Sequence, residues 1–304
     1  MYSVGYEKYI SSGLYKECGR IDRRRTTMTV MQLQQEGVKR LEDAGIMDAV
    51  VDARYLLDAI CGISSTQYYL RLQEEIEESL ANKYLETVDL RATHVPLQHI
   101  IGKQAFMGYE FVVNANVLSP RQDTERLVEI VEELSDGSSI LDVCTGSGCI
   151  AISLEKRTHA TVVGVDISPA ALEVANTNKK LLHSKVTFIE SDLFSNVTGR
   201  YQIIVSNPPY IAKNVIPTLM EEVREHEPIL ALDGGEDGLD FYRKIIKAAP
   251  MYLQAEGYLC FEIGYDQGLA VQALMEAQGF FACQIIKDYA QLDRVVIGQW
   301  KQND

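Results

Sequence analysis

Four consecutive residues, Asn207, Pro208, Pro209 and Tyr210, offer acceptor groups that suit a planar amino group. They follow an apolar run at positions 201–206, and a run rich in β-branched residues that stops at Asn-Pro is typical of a buried strand. Proline has a fixed φ and lacks an N–H, so its carbonyl can face a ligand without a competing ladder bond. The Asn207 side-chain oxygen and the Pro208 carbonyl can therefore accept both N–H bonds of an –NH2 group beside the Tyr210 ring. The same tetrapeptide also occurs in ordinary turns. Its position in the chain decides whether it is a binding site for an amino group or an ordinary turn.

A glycine-rich turn further upstream has the features of a nucleotide-binding element. The apolar run at 140–143 leads into Cys144-Thr145-Gly146-Ser147-Gly148, and an apolar, helix-like stretch follows at 149–154. Glycines permit close backbone approach, and the N-terminus of a helix offers free N–H groups to a ligand. The spacing is not that of the dinucleotide motif Gly-x-Gly-x-x-Gly, because Cys144 occupies the position of the first glycine.

Acidic residues follow the next two predicted strands. The strand at 161–165 ends at Asp166, about twenty residues after the glycine turn, where a carboxylate can accept from both ribose hydroxyls. The strand at 186–190 is followed by Asp192 and Leu193, and Asp192 can accept from an adenine amino group. Since no cluster of Lys or Arg surrounds the turn to bind a pyrophosphate, the sequence favours S-adenosylmethionine (SAM) over NAD or ATP.

These three features together resemble an amino-group methyltransferase of the Rossmann-like SAM-dependent class. Further segments are similar to the protein-(glutamine-N5) methyltransferases of peptide chain release factors, and this resemblance runs from about position 30 to 300. The Arg-x-Asp-Thr-Glu form at 121–125 favours release factors over ribosomal proteins as the substrate. The similar segments lie at 96–102, 106–108, 117–125, 223–228, 231–238, 262–264 and 293–296.

The resemblance implies that the chain transfers a methyl group from SAM to the side-chain amide nitrogen (N5) of a glutamine in the Gly-Gly-Gln loop of release factors. Such a nitrogen is a poor nucleophile because its lone pair is delocalised, and accepting both of its N–H bonds orients it and raises its electron density. Catalysis is assigned to Asn207, Pro208 and Tyr210, and substrate binding to these residues and Pro209. The expected SAM-binding residues are Cys144, Thr145, Gly146, Ser147, Gly148, Asp166, Asp192, Leu193 and Asn207.

The chain departs from the family pattern at a few positions. Cys144 stands where glycine is usual, and Leu193 stands where some relatives have a tryptophan that stacks on adenine. These two departures bear on the affinity for SAM. Asp142, Arg121 and Glu262 are expected to be structural or to support the residues that contact the ligands, and no metal ion is required.

Other functions remain open at this point. A ribosomal-protein glutamine N5-methyltransferase is one alternative, and a DNA adenine-N6 or cytosine-N4 methyltransferase is another, since the DNA enzymes also use Asn-Pro-Pro-Tyr. A DNA enzyme needs a basic groove and a target-recognition segment, whereas the formal net charge is −14 and the pI about 4.9. A SAM-sensing or interaction module without enzymatic activity is disfavoured because the acceptor segment is intact.

Composition sets the expected location and partners. The six cysteines form no paired framework, which suits reduced thiols in the cytoplasm. The sequence shows no signal peptide and no apolar stretch long enough to span a bilayer. We therefore expect a cytoplasmic monomer whose partner is a release factor, with no direct contact to nucleic acid or membrane.

The chain is expected to have four parts around an α/β fold. This fold is a Rossmann-like SAM-dependent methyltransferase sheet of seven strands, the last one antiparallel, with a small N-terminal helical bundle. Residues 1–27 are expected to be a disordered extension, and residues 28–93 a helical domain that docks the release factor. Residues 94–122 are expected to form a linker with a β-hairpin, and residues 123–304 the methyltransferase domain.

Overall fold

A computed structural model of the chain describes residues 27–137 and 139–301. The extension expected at 1–27 lies, apart from Thr27, outside the described residues. The chain divides into two compact units. The first runs up to Gly102 and also takes in Glu221–His226, whereas the second comprises Lys103–Met220 and the chain from Glu227 onward.

The first unit is helical and has its own apolar core. Thr29 starts the first helix with a capping box, in which its side chain accepts from the backbone of Gln32 and the Gln32 side chain accepts from the backbone of Thr29. The buried guanidinium of Arg91 pairs with Asp52 at 2.7 Å and with Glu222 at 2.7 Å, which ties the segment Glu221–His226 to this unit. The helices are α1 (Val30–Asp43), α2 (Ala49–Cys61), α3 (Ser65–Arg71), α4 (Glu78–Ala92) and α5 (Leu97–Ile101).

The second unit begins with a small hairpin and continues as a seven-stranded sheet. Strands β1 (Lys103–Phe106) and β2 (Tyr109–Val112) pair antiparallel with each other. The sheet strands are β3 (Ser139–Val143), β4 (Thr161–Asp166), β5 (Thr187–Glu190), β6 (Tyr201–Ser206), β7 (Leu253–Glu262), β8 (Phe280–Lys287) and β9 (Asp293–Trp300). Their order is β5-β4-β3-β6-β7-β9-β8, and β9 runs antiparallel to both of its neighbours. The predicted fold class is therefore confirmed, including the antiparallel last strand.

Helices cover both faces of this sheet. Successive residues of a strand point to opposite faces, and Ile140 and Leu141 accordingly belong to two different core clusters. The helices of this unit are α6 (Gln122–Leu134), α7 (Cys149–Thr158), α8 (Pro169–Leu181), α10 (Ile229–Leu232), α11 (Asp240–Ala248) and α12 (Gly268–Gln278). Helix α9 (Glu221–His226) belongs to the first unit. One cluster takes apolar side chains from α6 and α7, and the other from α11 and α12.

The order of the strands fixes where a ligand site can form. Strand β3 pairs in parallel with β4 on one side and with β6 on the other, so the chain order reverses between β3 and β6. In open α/β sheets, ligands bind in the crevice at the carboxyl ends of the strands at this point of reversal. None of the described helices combines the length and apolar character needed to cross a membrane.

Candidate active site

A cavity of about 330 Å³ lies at the carboxyl ends of β3 and β6. All of the predicted site residues are among those that the structure describes. Gly148, Pro208 and Tyr210 are not part of the cavity lining, although each adjoins a residue that is. The structure brings the other predicted residues together on its wall: Cys144, Thr145, Gly146, Ser147, Asp166, Asp192, Leu193, Asn207 and Pro209.

The glycine turn between β3 and α7 uses backbone conformations that favour glycine. Gly146 has a φ of +55° and Gly148 a φ of +78°, and a Cβ at Gly148 would lie 2.7 Å from Cζ of Phe188. Cys144 also lies in the left-handed region, with a φ of +63°. The residue that replaces the family's usual glycine therefore keeps the backbone conformation of a glycine, and what differs is a side chain on the cavity wall.

Hydrogen bonds tie this turn to the end of β4. The N–H of Thr145 donates to the carbonyl of Val165 at 2.9 Å, and the N–H of Gly146 donates to Oδ2 of Asp166 at 2.9 Å. The other oxygen of Asp166 accepts from the N–H of Ser168 at 2.9 Å. Burial raises the pKa of Asp166, and these backbone bonds oppose the shift. Each carboxylate oxygen keeps a further lone pair for a donor in the cavity.

A buried carboxyl group supports the same turn. Asp142 of β3 is fully buried, and its Oδ2 accepts from the hydroxyl of Thr145 at 2.6 Å. Burial raises the pKa of Asp142 to about 7, against the effect of the bond from Thr145. The bond from Thr145 to this buried carboxyl group stabilises the turn.

Asn207 follows β6 directly, and its amide bonds to Thr124, which lies in the family-like segment 121–125 but was given no role in the site. Nδ2 of Asn207 donates to Oγ1 of Thr124, on α6, at 3.3 Å. Ser206 immediately before it donates from its hydroxyl to the carbonyl of Val143 at 2.6 Å, which holds the ends of β6 and β3 together. The amide nitrogen of Asn207 therefore faces α6. Asn207 and Thr124 both line the cavity, and the amide oxygen of Asn207 is left for a donor there.

Tyr210 is held at both ends. Its hydroxyl donates to Oε1 of Glu262 at 3.5 Å, and its carbonyl accepts from the side chain of Gln267 at 3.0 Å. Burial raises the pKa of Tyr210 and that of Glu262, the latter to about 7. Hydrogen bonding from Thr124 and the positive charge of Arg294 act in the opposite direction on Glu262.

Two loop segments complete the cavity wall on the side of α6. Glu227 is buried and accepts from the N–H of Ser119 at 3.3 Å and from the guanidinium of Arg121 at 3.1 Å. Sequence analysis marked both segments as similar to the family but gave their residues no role in the site. Side chains from these segments and from α11 also line the cavity, namely Ser119, Pro120, Arg121, Pro228, Leu230, Ala231, Phe241 and Lys244.

Two family models match this chain. The family model described as "PrmC N-terminal domain" matches residues 32–102, and the one described as "Methyltransferase small domain" matches residues 109–235. Among solved structures, a methyltransferase from Pyrococcus furiosus is 18% identical, covers 65% of this chain and 92% of its own, and has a TM-score of 0.51. At that identity the likeness shows the fold alone.

Similarity to curated proteins is higher and covers most of the chain. The release factor glutamine methyltransferase of Geobacter sulfurreducens is 42% identical over 264 residues, which is 85% of this chain and 92% of the relative. The enzyme of the same name from Moorella thermoacetica is 42% identical over 275 residues, or 88% of this chain and 97% of the relative. The chain therefore belongs to the release factor glutamine methyltransferase family.

Proposed function

We propose that this chain methylates the side-chain amide nitrogen of a glutamine in the Gly-Gly-Gln loop of a peptide chain release factor, with SAM as the methyl donor. One observation carries the proposal: the amide of Asn207 lines the same cavity as the glycine turn, with its nitrogen bonded to Thr124. An amide held in this way presents an oxygen acceptor next to the place where a nucleoside ligand fits. The curated relatives carry the same activity in their names.

The residues of the glycine-turn side fit SAM. A Cβ added at Gly146 would meet nothing within 4 Å, so the main chain leaves room for a ligand in the cavity that it lines. The cavity volume of about 330 Å³ lies within the range of small-molecule sites. We assign Asp166 to the ribose hydroxyls and Asp192 to the adenine amino group, with Leu193 against the ring. When bound, SAM supplies an electrophilic methyl group on a positively charged sulfur.

The Asn207 side orients the acceptor. Oδ1 of Asn207 and the carbonyl of Pro208 accept the two N–H bonds of the substrate glutamine, which points its nitrogen into the cavity. Tyr210, fixed through Glu262 and Gln267, packs its ring beside the amide. Positioning of this kind contributes several kcal/mol, up to roughly 7–11 in ideal cases, so the reaction needs no strong base.

A methyl-transfer assay with labelled SAM tests the function. We expect label on a purified release factor, and none on a matched factor whose Gly-Gly-Gln glutamine is replaced by glutamate. Duplex DNA and ribosomal protein serve as competing substrates in the same assay. Label on DNA or on a ribosomal protein, with none on the release factor, would replace this proposal with one of the two alternative enzymes.

We also propose that the helical part at residues 28–93 docks the release factor. The substrate loop is short, and a second contact away from the cavity would raise the effective concentration of the loop at Asn207. The assay above then shows a much lower KM for the intact factor than for a short peptide that carries Gly-Gly-Gln. Equal KM values for the two substrates would remove the docking role.

A further inference from the structure

The hydroxyl of Thr124 lies between the Asn207 amide and a buried carboxyl group. Thr124 is only 2% exposed, and its Oγ1 accepts from Nδ2 of Asn207 at 3.3 Å. The carboxyl of Glu262, which is also 2% exposed, lies close enough to this hydroxyl for Thr124 to lower its pKa. These three side chains come from α6, from the segment after β6 and from the end of β7.

This arrangement decides which way the Asn207 amide faces. A carboxamide carries a donor nitrogen and an acceptor oxygen of similar size, so a flip of the amide exchanges one for the other. A threonine hydroxyl has a single proton, and Oε2 of Glu262, a buried oxygen with no hydrogen-bond partner among the described residues, can accept it when the carboxyl is ionised. When the proton of Thr124 goes to Glu262, Oγ1 can only accept, and Asn207 must present its nitrogen to it.

The flip matters because the two orientations have opposite effects on the substrate. With its nitrogen on Thr124, Asn207 offers Oδ1 to an N–H of the substrate amide. In the flipped orientation, Nδ2 of Asn207 would face the substrate N–H groups, so that two donors would meet. The flip would also place Oδ1 of Asn207 against Oγ1 of Thr124, so that two acceptors would meet there. Glu262 further anchors the hydroxyl of Tyr210, so one buried carboxyl group supports two of the predicted site residues.

We propose that Thr124 and Glu262 are positioning residues, which hold the Asn207 amide with its oxygen towards the substrate. The inference rests on the proposed function, because it concerns how Asn207 receives the glutamine. It assigns the buried carboxyl of Glu262 a role in the orientation of Asn207 in addition to its contact with Tyr210.

Substitution of Thr124 tests the proposal. Thr124→Val removes the hydroxyl at nearly constant volume, and we expect kcat on the release factor to fall roughly 10- to 100-fold, the rate equivalent of losing one hydrogen bond with a stranded partner. KM for SAM and the melting temperature should stay near their wild-type values. Thr124→Ser restores the hydroxyl and should recover most of kcat. Thr124→Ala removes the same hydroxyl without adding a methyl group, and replaces the valine variant if that variant is unstable.

A control and a double variant separate positioning from a general loss of structure. Thr158→Val removes a half-buried hydroxyl that bonds to the carbonyl of Leu154 on α7, away from the cavity wall, and should leave kcat unchanged. In an Asn207→Ala background, Thr124→Val should cost little more, because Thr124 acts through Asn207.

The outcomes distinguish this inference from the proposed function. A wild-type chain that methylates no release factor would overturn the function, and the inference with it. An active wild-type chain whose valine and alanine variants keep their kcat would overturn the inference alone. The inference is also overturned if kcat falls only together with SAM affinity and melting temperature, without rescue by serine, because Thr124 would then be merely structural.

Discussion

On each side of the cavity a threonine hydroxyl lies beside a buried carboxyl group, but the two pairs are separated by very different distances along the chain. On the glycine-turn side, the hydroxyl of Thr145 donates to the buried carboxyl of Asp142. On the Asn207 side, the hydroxyl of Thr124 accepts from the Asn207 amide and lies beside the buried carboxyl of Glu262, whose pKa it lowers. The first pair is three residues apart in one strand and turn, whereas the second joins a helix to a distant strand. The glycine-turn side is thus built locally, and the Asn207 side depends on tertiary packing.

This difference leads to an expectation about function. On the glycine-turn side, the proposed ligand contacts are the carboxylates of Asp166 and Asp192, and backbone N–H groups hold Asp166 in place, so substitutions there should act on SAM affinity. The Asn207 side presents a side-chain amide whose orientation depends on other side chains, so substitutions there should act on the rate of methyl transfer. Asn207→Ala and Asp166→Ala test this separation, and Glu262→Gln tests the buried carboxyl group on the Asn207 side.

Asn207→Ala should have the largest effect. It removes the acceptor oxygen for the substrate amide, and we expect the single-turnover rate on the release factor to fall by at least roughly 100-fold, as for the loss of a preorganised hydrogen-bonding group at a reacting centre. SAM affinity, measured by calorimetry, should change less. Asn176→Ala, which removes another side-chain amide, one that donates to the carbonyl of Leu172 on α8 at 2.8 Å, is the control. A wild-type rate in Asn207→Ala would remove the amide-receptor role.

Glu262→Gln should change how the stability depends on pH. Burial raises the pKa of Glu262 from 4.5 to about 7, so the folded chain holds a proton that the unfolded chain releases. The stability linked to this proton is fully present below pH 4.5 and is lost as the pH rises through 7. A shift of that size corresponds to about 3 kcal/mol of unfolding free energy. The groups that face Glu262 are Asp123, Thr124, Cys149, Tyr210, Tyr242 and Arg294.

Unfolding in denaturant at pH 5 and at pH 8 measures this effect. The wild-type chain should lose more stability between the two values than Glu262→Gln does. Asp142→Asn provides the corresponding test on the glycine-turn side, since burial raises the pKa of Asp142 to about 7 as well. Equal pH dependence in the wild-type chain and in both variants would mean that neither carboxyl group is a buried acid of this kind.

The same contrast explains how much the sequence could predict. The glycine turn, Asp166 and Asp192 each follow a predicted strand, and the reversal of strand order brings strand ends together, so their grouping around one cavity could be predicted. The segment Asn207–Tyr210 could be predicted as part of the site because it also follows a predicted strand directly. The partner of Asn207 was not, because a threonine in an amphipathic helix and a glutamate at a strand end carry no signal of their contact. Only the packing of α6 against the sheet brings Thr124 to Asn207.

Asp166→Ala should have the smallest of the three effects, and it tests the glycine-turn side most directly. Asp166 serves the proposed ribose contact and also accepts from the N–H groups of Gly146 and Ser168. The substitution therefore removes a ligand contact and leaves two backbone donors to water, and we expect SAM binding to weaken by about 1–3 kcal/mol.

With saturating SAM, Asp166→Ala should recover most of the wild-type kcat, because the Asn207 side stays intact. Calorimetry gives the affinity, and the methyl-transfer assay at high SAM concentration gives kcat. Asp237→Ala removes an exposed carboxylate that pairs with Arg243 away from the cavity wall, and serves as the control. If Asp166→Ala lowers kcat at saturating SAM as strongly as Asn207→Ala does, the two sides are coupled through the contact between β3 and β6. The separation of affinity from rate would then be wrong.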